Sequence, residues 1–146
     1  IRNFHSPQIA LIAKTVRDDH ARLYATPDYL AGIGDTQTPE DLNHADFIAF
    51  DRAPMMIEGL NALGLNLARR NFPLMSESHL VHWALVKQGL GIGIVPQNVG
   101  DAEPLVRRAL PDLAPLTFPI WLTTHRELNT SRRVRLVFNL LAEELR

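Results

Sequence analysis

Hydrophobic and polar positions fall along the chain in blocks that predict short strands separated by helices. Ile9 to Val16 is apolar apart from Lys14 and Thr15 and predicts a strand. Ala21 to Ala25, centred on Leu23 and Tyr24, predicts another, with Arg17-Asp18-Asp19-His20 as a polar turn between them. Thr26-Pro27-Asp28 is a helix start: a hydroxyl at the N-cap, proline at the first helical position and an acid in the first turn. Thr38-Pro39-Glu40-Asp41 repeats it, so two short helices precede a strand from Asp46 to Phe50. Met55, Ile57, Leu60, Leu63 and Leu65 predict a helix within 54–67 that ends near Gly64, and Phe72 to Met75 predicts the next strand.

The sharpest joint lies further on. Leu80, Val81, Ala84, Leu85 and the stem of Lys87 recur at helical spacing, predicting a helix over 77–88 with that face apolar. Gly89 fits the position just past a helix end, where a left-handed backbone is cheapest without a Cβ. Ile92, Ile94 and Val95 form a nearly continuous apolar run, the pattern of a strand covered on both faces, and Pro96 ends it. The stretch 97–114 is turn-rich, with a short apolar helix predicted around Leu105 to Leu110. Phe118 to Thr123 predicts a strand. A final helix begins near Thr130, with Val134, Val137, Phe138, Leu141 and Leu145 at helical spacing. Alternating strands and helices define an α/β protein.

Composition narrows the function classes. The 146 residues are 46% hydrophobic and 21% charged, the balance of one globular domain. A net charge of −1 argues against nonspecific nucleic-acid binding by this segment. With no cysteine there is neither a disulfide nor a thiolate metal site, which fits a reducing compartment. No apolar run approaches the length of about eighteen residues that spans a bilayer, and the first residues lack a signal-peptide plan. A cytoplasmic location with no membrane partner is expected.

The candidate chemistry is sparse. If Ser76 caps the helix over 77–88, the free N–H groups of the first turn and the hydroxyls of Ser76 and Ser78 make an anion-friendly patch within Ser76-Glu77-Ser78-His79. The Glu77 carboxylate competes for that positive end, or favours a cationic or amide-bearing ligand. His79 and His82, three apart with Glu77 near, have spacing that suits a metal, but nothing supplies a third ligand, so no metal is expected. No nucleophile-elbow pattern accompanies the Ser, His and Asp residues, and no catalytic residue is assigned. Gly89, Gly91 and Gly93 follow a helix and enter a strand, the reverse of a dinucleotide loop, so no cofactor is implied. Arg132, Arg133 and Arg135 share their helix with Glu143 and Glu144, which makes a solvated face.

Four segments carry a family resemblance: Leu23-Tyr24-Ala25-Thr26-Pro27-Asp28-Tyr29-Leu30, then Thr38-Pro39-Glu40-Asp41-Leu42 with His44, then Gly89 to Pro96, then Thr130-Ser131-Arg132-Arg133-Val134-Arg135. In order and spacing the chain resembles the effector-binding domain of LysR-type transcriptional regulators. The resemblance implies a type 2 periplasmic-binding-protein-like α/β fold, two lobes with a ligand cleft between them. Residues 1–22 and 117–146 would belong to a first lobe that is incomplete in this chain, and 23–116 to the second. The crossings fall near Arg22–Tyr24 and Leu116–Pro119. It further implies a small-molecule effector, an anionic one suiting the patch, with Ser76, Glu77, Ser78 and His79 facing the cleft. Arg2, at the end of an inner strand, would offer a guanidinium to a carboxylate. DNA would be contacted only through a winged helix-turn-helix preceding Ile1, and the protein would form homo-oligomers. The alternative is a solute-binding protein that serves a transporter on the same two-lobed fold. An enzyme on that scaffold lacks a catalytic constellation.

Overall fold

Strand β1 runs unbroken from Leu11 to Ala25, so the predicted polar turn at Arg17–His20 does not exist. Those side chains are compatible with an exposed stretch of strand: Arg17 and Asp19, two apart and therefore on one face, approach to 3.6 Å. No glycine or proline interrupts them. The computed structural model describes residues 11–50 and 53–145. The chain divides into two compact units, Ile1–His20 with Thr117–Arg146, and Ala21–Leu116.

In the Ala21–Leu116 unit, β2 (Phe47–Ala49) lies parallel to β3 (Leu74–Met75) on one side and to β4 (Ile92–Pro96) on the other. β1 pairs antiparallel with β4, Leu23 opposite Ile94, and with β5 (Arg107–Arg108), giving the order β3-β2-β4-β1-β5. Helix α1 (Pro27–Ile33) starts at Thr26, whose hydroxyl accepts from the Tyr29 N–H. The second predicted helix is a single 3-10 turn, Pro39–Leu42. Helix α2 (Ala53–Asn61) stops three residues before Gly64, at Asn61, whose side chain exchanges two hydrogen bonds with the Leu67 backbone. One sheet face packs Leu23, Phe47, Ala49, Leu60 and Ile92. The other packs Tyr24, Ile48, Val86 and Val95, with Trp83 and Leu85 against them. The alternation of Phe47, Ile48 and Ala49 between the two clusters follows from the period of two in a strand.

Helix α3 (His79–Lys87) ends as its sequence predicts: the Gly89 N–H bonds the Val86 carbonyl, the Leu90 N–H bonds that of Leu85, and Gly89 sits at φ 74°. Its buried face differs from the predicted one. His82 and Val86 are buried, whereas Val81 and Ala84 are exposed and Leu80 is 83% exposed. The reason lies in β4. Gly93 presents no side chain, and Val86 and His82 fill the space where its Cβ would stand. The predicted helix around Leu105–Leu110 is instead the short strand β5, after the one-turn helix α4 (Gln97–Gly100). The stretch between Pro104 and Pro111 instead pairs with the edge of β1, the Ala109 N–H donating to the Leu23 carbonyl.

In the other unit, β6 (Leu116–His125) pairs with β1, and α5 (Arg132–Glu144) packs Ala142, Phe138 and Leu145 with Val16, Leu122 and Ile120. Val137 and Leu141, two of the apolar residues at helical spacing, are exposed and border a groove of about 360 Å³ with Leu122, Val134 and Phe138. No helix among the described residues is long and apolar enough to cross a membrane.

Candidate functional site

The chain leaves β2 for β3 on one side, with α2 over one sheet face, then returns through α3 on the other face to β4 on β2's far side. The winding direction therefore reverses at β2. In open α/β sheets such a reversal leaves a crevice at the carboxyl ends of the parallel strands, where ligands bind. Ser76 sits at that edge, since its N–H donates to the Ala49 carbonyl at the end of β2 (3.0 Å).

Ser78, not Ser76, caps α3. Its backbone is extended (φ −80°, ψ 115°), and its hydroxyl accepts from the Val81 N–H at 3.5 Å. Ser76 is held against β2 and is still two residues short of the helix, so its hydroxyl reaches only the Ser78 N–H, at 3.2 Å. Each of the two hydroxyls thus accepts one backbone N–H at the helix start. Glu77 and His79 are both exposed beside it.

Phe50, which the sequence marked only as a strand end, shapes the edge. Its ring tilts against His79 with centroids 4.6 Å apart and lies flat on His82 at 4.2 Å. His82 is 2% exposed, and its Nε2 lies 3.0 Å from the Ile48 carbonyl oxygen, a distance at which the Nε2–H form donates. Burial pushes the His82 pKa below the ordinary histidine value; the Ile48 bond opposes that shift, and nearby His79 adds to it. His82 is therefore an anchor of α3 on β2 rather than a partner of His79 in a metal pair. No group of three potential metal ligands occurs among the described residues. Arg2 lies outside the described residues.

The LysR substrate binding domain model matches residues 1–146. The chain belongs to the LysR substrate-binding-domain family. Among solved structures, the regulatory domain of CrgA, a LysR-type regulator from Neisseria meningitidis, is 22% identical with a TM-score of 0.77, over 99% of this chain and 74% of that one. The effector domain of AmpR from Pseudomonas aeruginosa is 18% identical with a TM-score of 0.73, over 94% and 66%. Full-length CbnR in complex with its target DNA is 16% identical with a TM-score of 0.69, over 99% of this chain and 51% of that one, so this chain spans about half of a full-length regulator. No curated protein matches the sequence. The fold is type 2 periplasmic-binding-protein-like, and the chain is an effector-binding domain of the LysR type.

Proposed function

We propose that this chain senses a small anionic metabolite for a LysR-type transcriptional regulator, binding it at the Ser76–His79 edge of the Ala21–Leu116 unit. One observation supports the reading most: the Ser76 and Ser78 hydroxyls and the first turn of α3 stand at the carboxyl end of β2, where the sheet reverses its winding. Two charge-assisted hydrogen bonds of about 1.5–3 kcal/mol each, with about 1 kcal/mol from the helix end, total roughly 4–7 kcal/mol. That corresponds to dissociation constants from about 1 mM to about 10 μM, a range suited to a metabolite. Ser76, Ser78 and His79 are the contacts; Glu77 tilts selectivity toward ligands that also carry an N–H donor. On this reading the Ala21–Leu116 unit is the second lobe of the effector domain, DNA is bound through a separate domain of the longer protein, and the regulator acts as a homo-oligomer in the cytoplasm. A metabolite alters DNA binding only through unequal affinity for two states of the regulator. None of the matches favours the transporter-associated alternative.

Thermal unfolding of the chain with a panel of small carboxylates and their neutral amides tests this. A ligand present at about a hundred times its Kd stabilises by about 2.7 kcal/mol, a shift easily read. Carboxylates should raise the midpoint more than their amides, and Ser78→Ala should remove the difference. A panel that leaves the midpoint unmoved would overturn the proposal.

A further inference from the structure

A second constellation occupies the same sheet edge and plays no part in the Ser76–His79 reading. Arg22 lies opposite Val95 in the antiparallel pairing of β1 with β4, beside the carboxyl end of β4. Its Nε–H donates to Gln97 Oε1 at 2.9 Å, and its Nη1 donates to the carbonyl oxygens of Leu113 at 2.7 Å and Pro111 at 3.3 Å. All three acceptors are neutral. Among the described residues no carboxylate forms an ion pair with Arg22. Asp101, the acid its charge reaches, is already engaged: Oδ1 takes the Tyr24 hydroxyl and Arg108 Nε, and Oδ2 takes Arg108 Nη2.

The donor inventory then closes one way. A guanidinium has five N–H donors and no acceptor, and a glutamine amide whose oxygen is occupied turns its two N–H donors elsewhere. Arg22 Nη2 and Gln97 Nε2 together hold four N–H hydrogens with no acceptor among the described residues. The guanidinium is half-buried and held by three bonds, so little rotamer freedom remains to be lost when an anion binds. The groups left without an acceptor among the described residues are all donors, on or beside a guanidinium that has no ion-pair partner there. We infer that Arg22 and Gln97 form a carboxylate-binding subsite on the Ala21–Leu116 unit, distinct from the start of α3. Arg22 supplies the charge through Nη2, and Gln97 supplies a neutral N–H that donates to a carboxylate oxygen.

The test uses sodium acetate as the probe, with inorganic phosphate and sodium chloride as comparisons at equal ionic strength, read on the ¹⁵N side-chain signals of the chain. Acetate should shift the Arg22 Nε–H and Gln97 Nε2–H₂ signals saturably, with a midpoint of about 1–10 mM as expected for one charge-assisted contact pair. Chloride should not. Gln97→Glu places a carboxylate on Arg22 within the molecule and should abolish the acetate response while the fold persists by circular dichroism. Arg22→Lys, which loses the planar fork, should weaken binding about tenfold or more. Ser78→Ala should leave the acetate midpoint at Arg22 unchanged, which separates this subsite from the one at α3. An absent or non-saturable acetate shift overturns the inference, as does an unchanged midpoint in Gln97→Glu. Saturation by phosphate with no response to acetate would overturn the carboxylate assignment.

Discussion

Replacing Gly93 with alanine tests how α3 is seated. An alanine Cβ there would stand 2.3 Å from Val86 Cγ2 and 3.0 Å from His82 Cε1, whereas carbon atoms in contact settle at about 3.5–4.0 Å. Val86 cannot turn away, because a β-branched side chain in a helix has essentially one rotamer. The helix must therefore retreat from β4 by about 1 Å, and its anchor, the 3.0 Å contact between His82 Nε2 and the Ile48 carbonyl, stretches with it. Overpacking of this kind costs about 1–3 kcal/mol and a weakened hydrogen bond about 0.5–1.5 kcal/mol. The reduced entropy of the unfolded chain returns about 0.4–1 kcal/mol. The net loss is about 1–4 kcal/mol, or a fall in Tm of about 4–15 °C for a chain of this length. Thermal and urea unfolding followed by circular dichroism measure it. Adding Val86→Ala removes the clashing methyl, so the double variant should lose less than the sum of the singles by at least about 0.5 kcal/mol. A Gly93→Ala protein as stable as the parent, or strict additivity in the cycle, would refute the packing argument.

Further outcomes follow from the same structure. Because burial lowers the His82 pKa, the unfolded chain takes up that proton first; stability is fully present above the ordinary value of about 6.5 and declines as pH falls through it toward the lower folded value. His82→Gln, which keeps a donor for the Ile48 carbonyl without titrating, should flatten the dependence of Tm on pH below neutrality, and an unchanged slope would contradict this. Asn71 is 3% exposed; its Oδ1 accepts from the Ala68 N–H, and its Nδ2 donates to the Asn43 and Ala45 carbonyls. Asn71→Ala should cost about 2–4 kcal/mol in urea unfolding, and Asn71→Asp more, since it turns an acceptor toward two carbonyls. Gly89→Ala forces a side chain to φ 74° and places its Cβ 2.9 Å from Thr26 Oγ1, the cap of α1, so a loss of about 1–3 kcal/mol is expected by the same measurement.

What was legible in the sequence was local chemistry with one solution. Thr26-Pro27-Asp28 starts a helix, Gly89 ends one, and Ile92–Pro96 is a strand buried on both faces, because capping geometry and apolar continuity need no tertiary information. The misjudged elements depended on partners remote in sequence. β1 passes through Arg17–His20 because pairing, not hydrophobicity, sustains an exposed strand. β5 is a strand because β1 offers it an edge. The buried face of α3 was misjudged because His82 and Val86 are selected by the missing side chain of Gly93, eleven and seven residues away in the chain. At the candidate site, residue types alone could not separate Ser76 from Ser78 as the cap, since both are serines two residues apart; the bond from the Ser76 N–H to Ala49 decides it. Phe50 carried no sequence signal, because an aromatic residue at a strand end is ordinary until the histidines beneath it are seen.

The measurement that bears most directly on effector recognition is a ¹⁵N backbone titration of the chain with the carboxylate that most raises its Tm. The amides of Ser78, His79 and Leu80, at the start of α3, should shift most within the Ala21–Leu116 unit and saturate together at one midpoint, and Ser78→Ala should weaken that midpoint severalfold. Ligand binding that leaves those three amides in place would contradict an anion site at the start of α3.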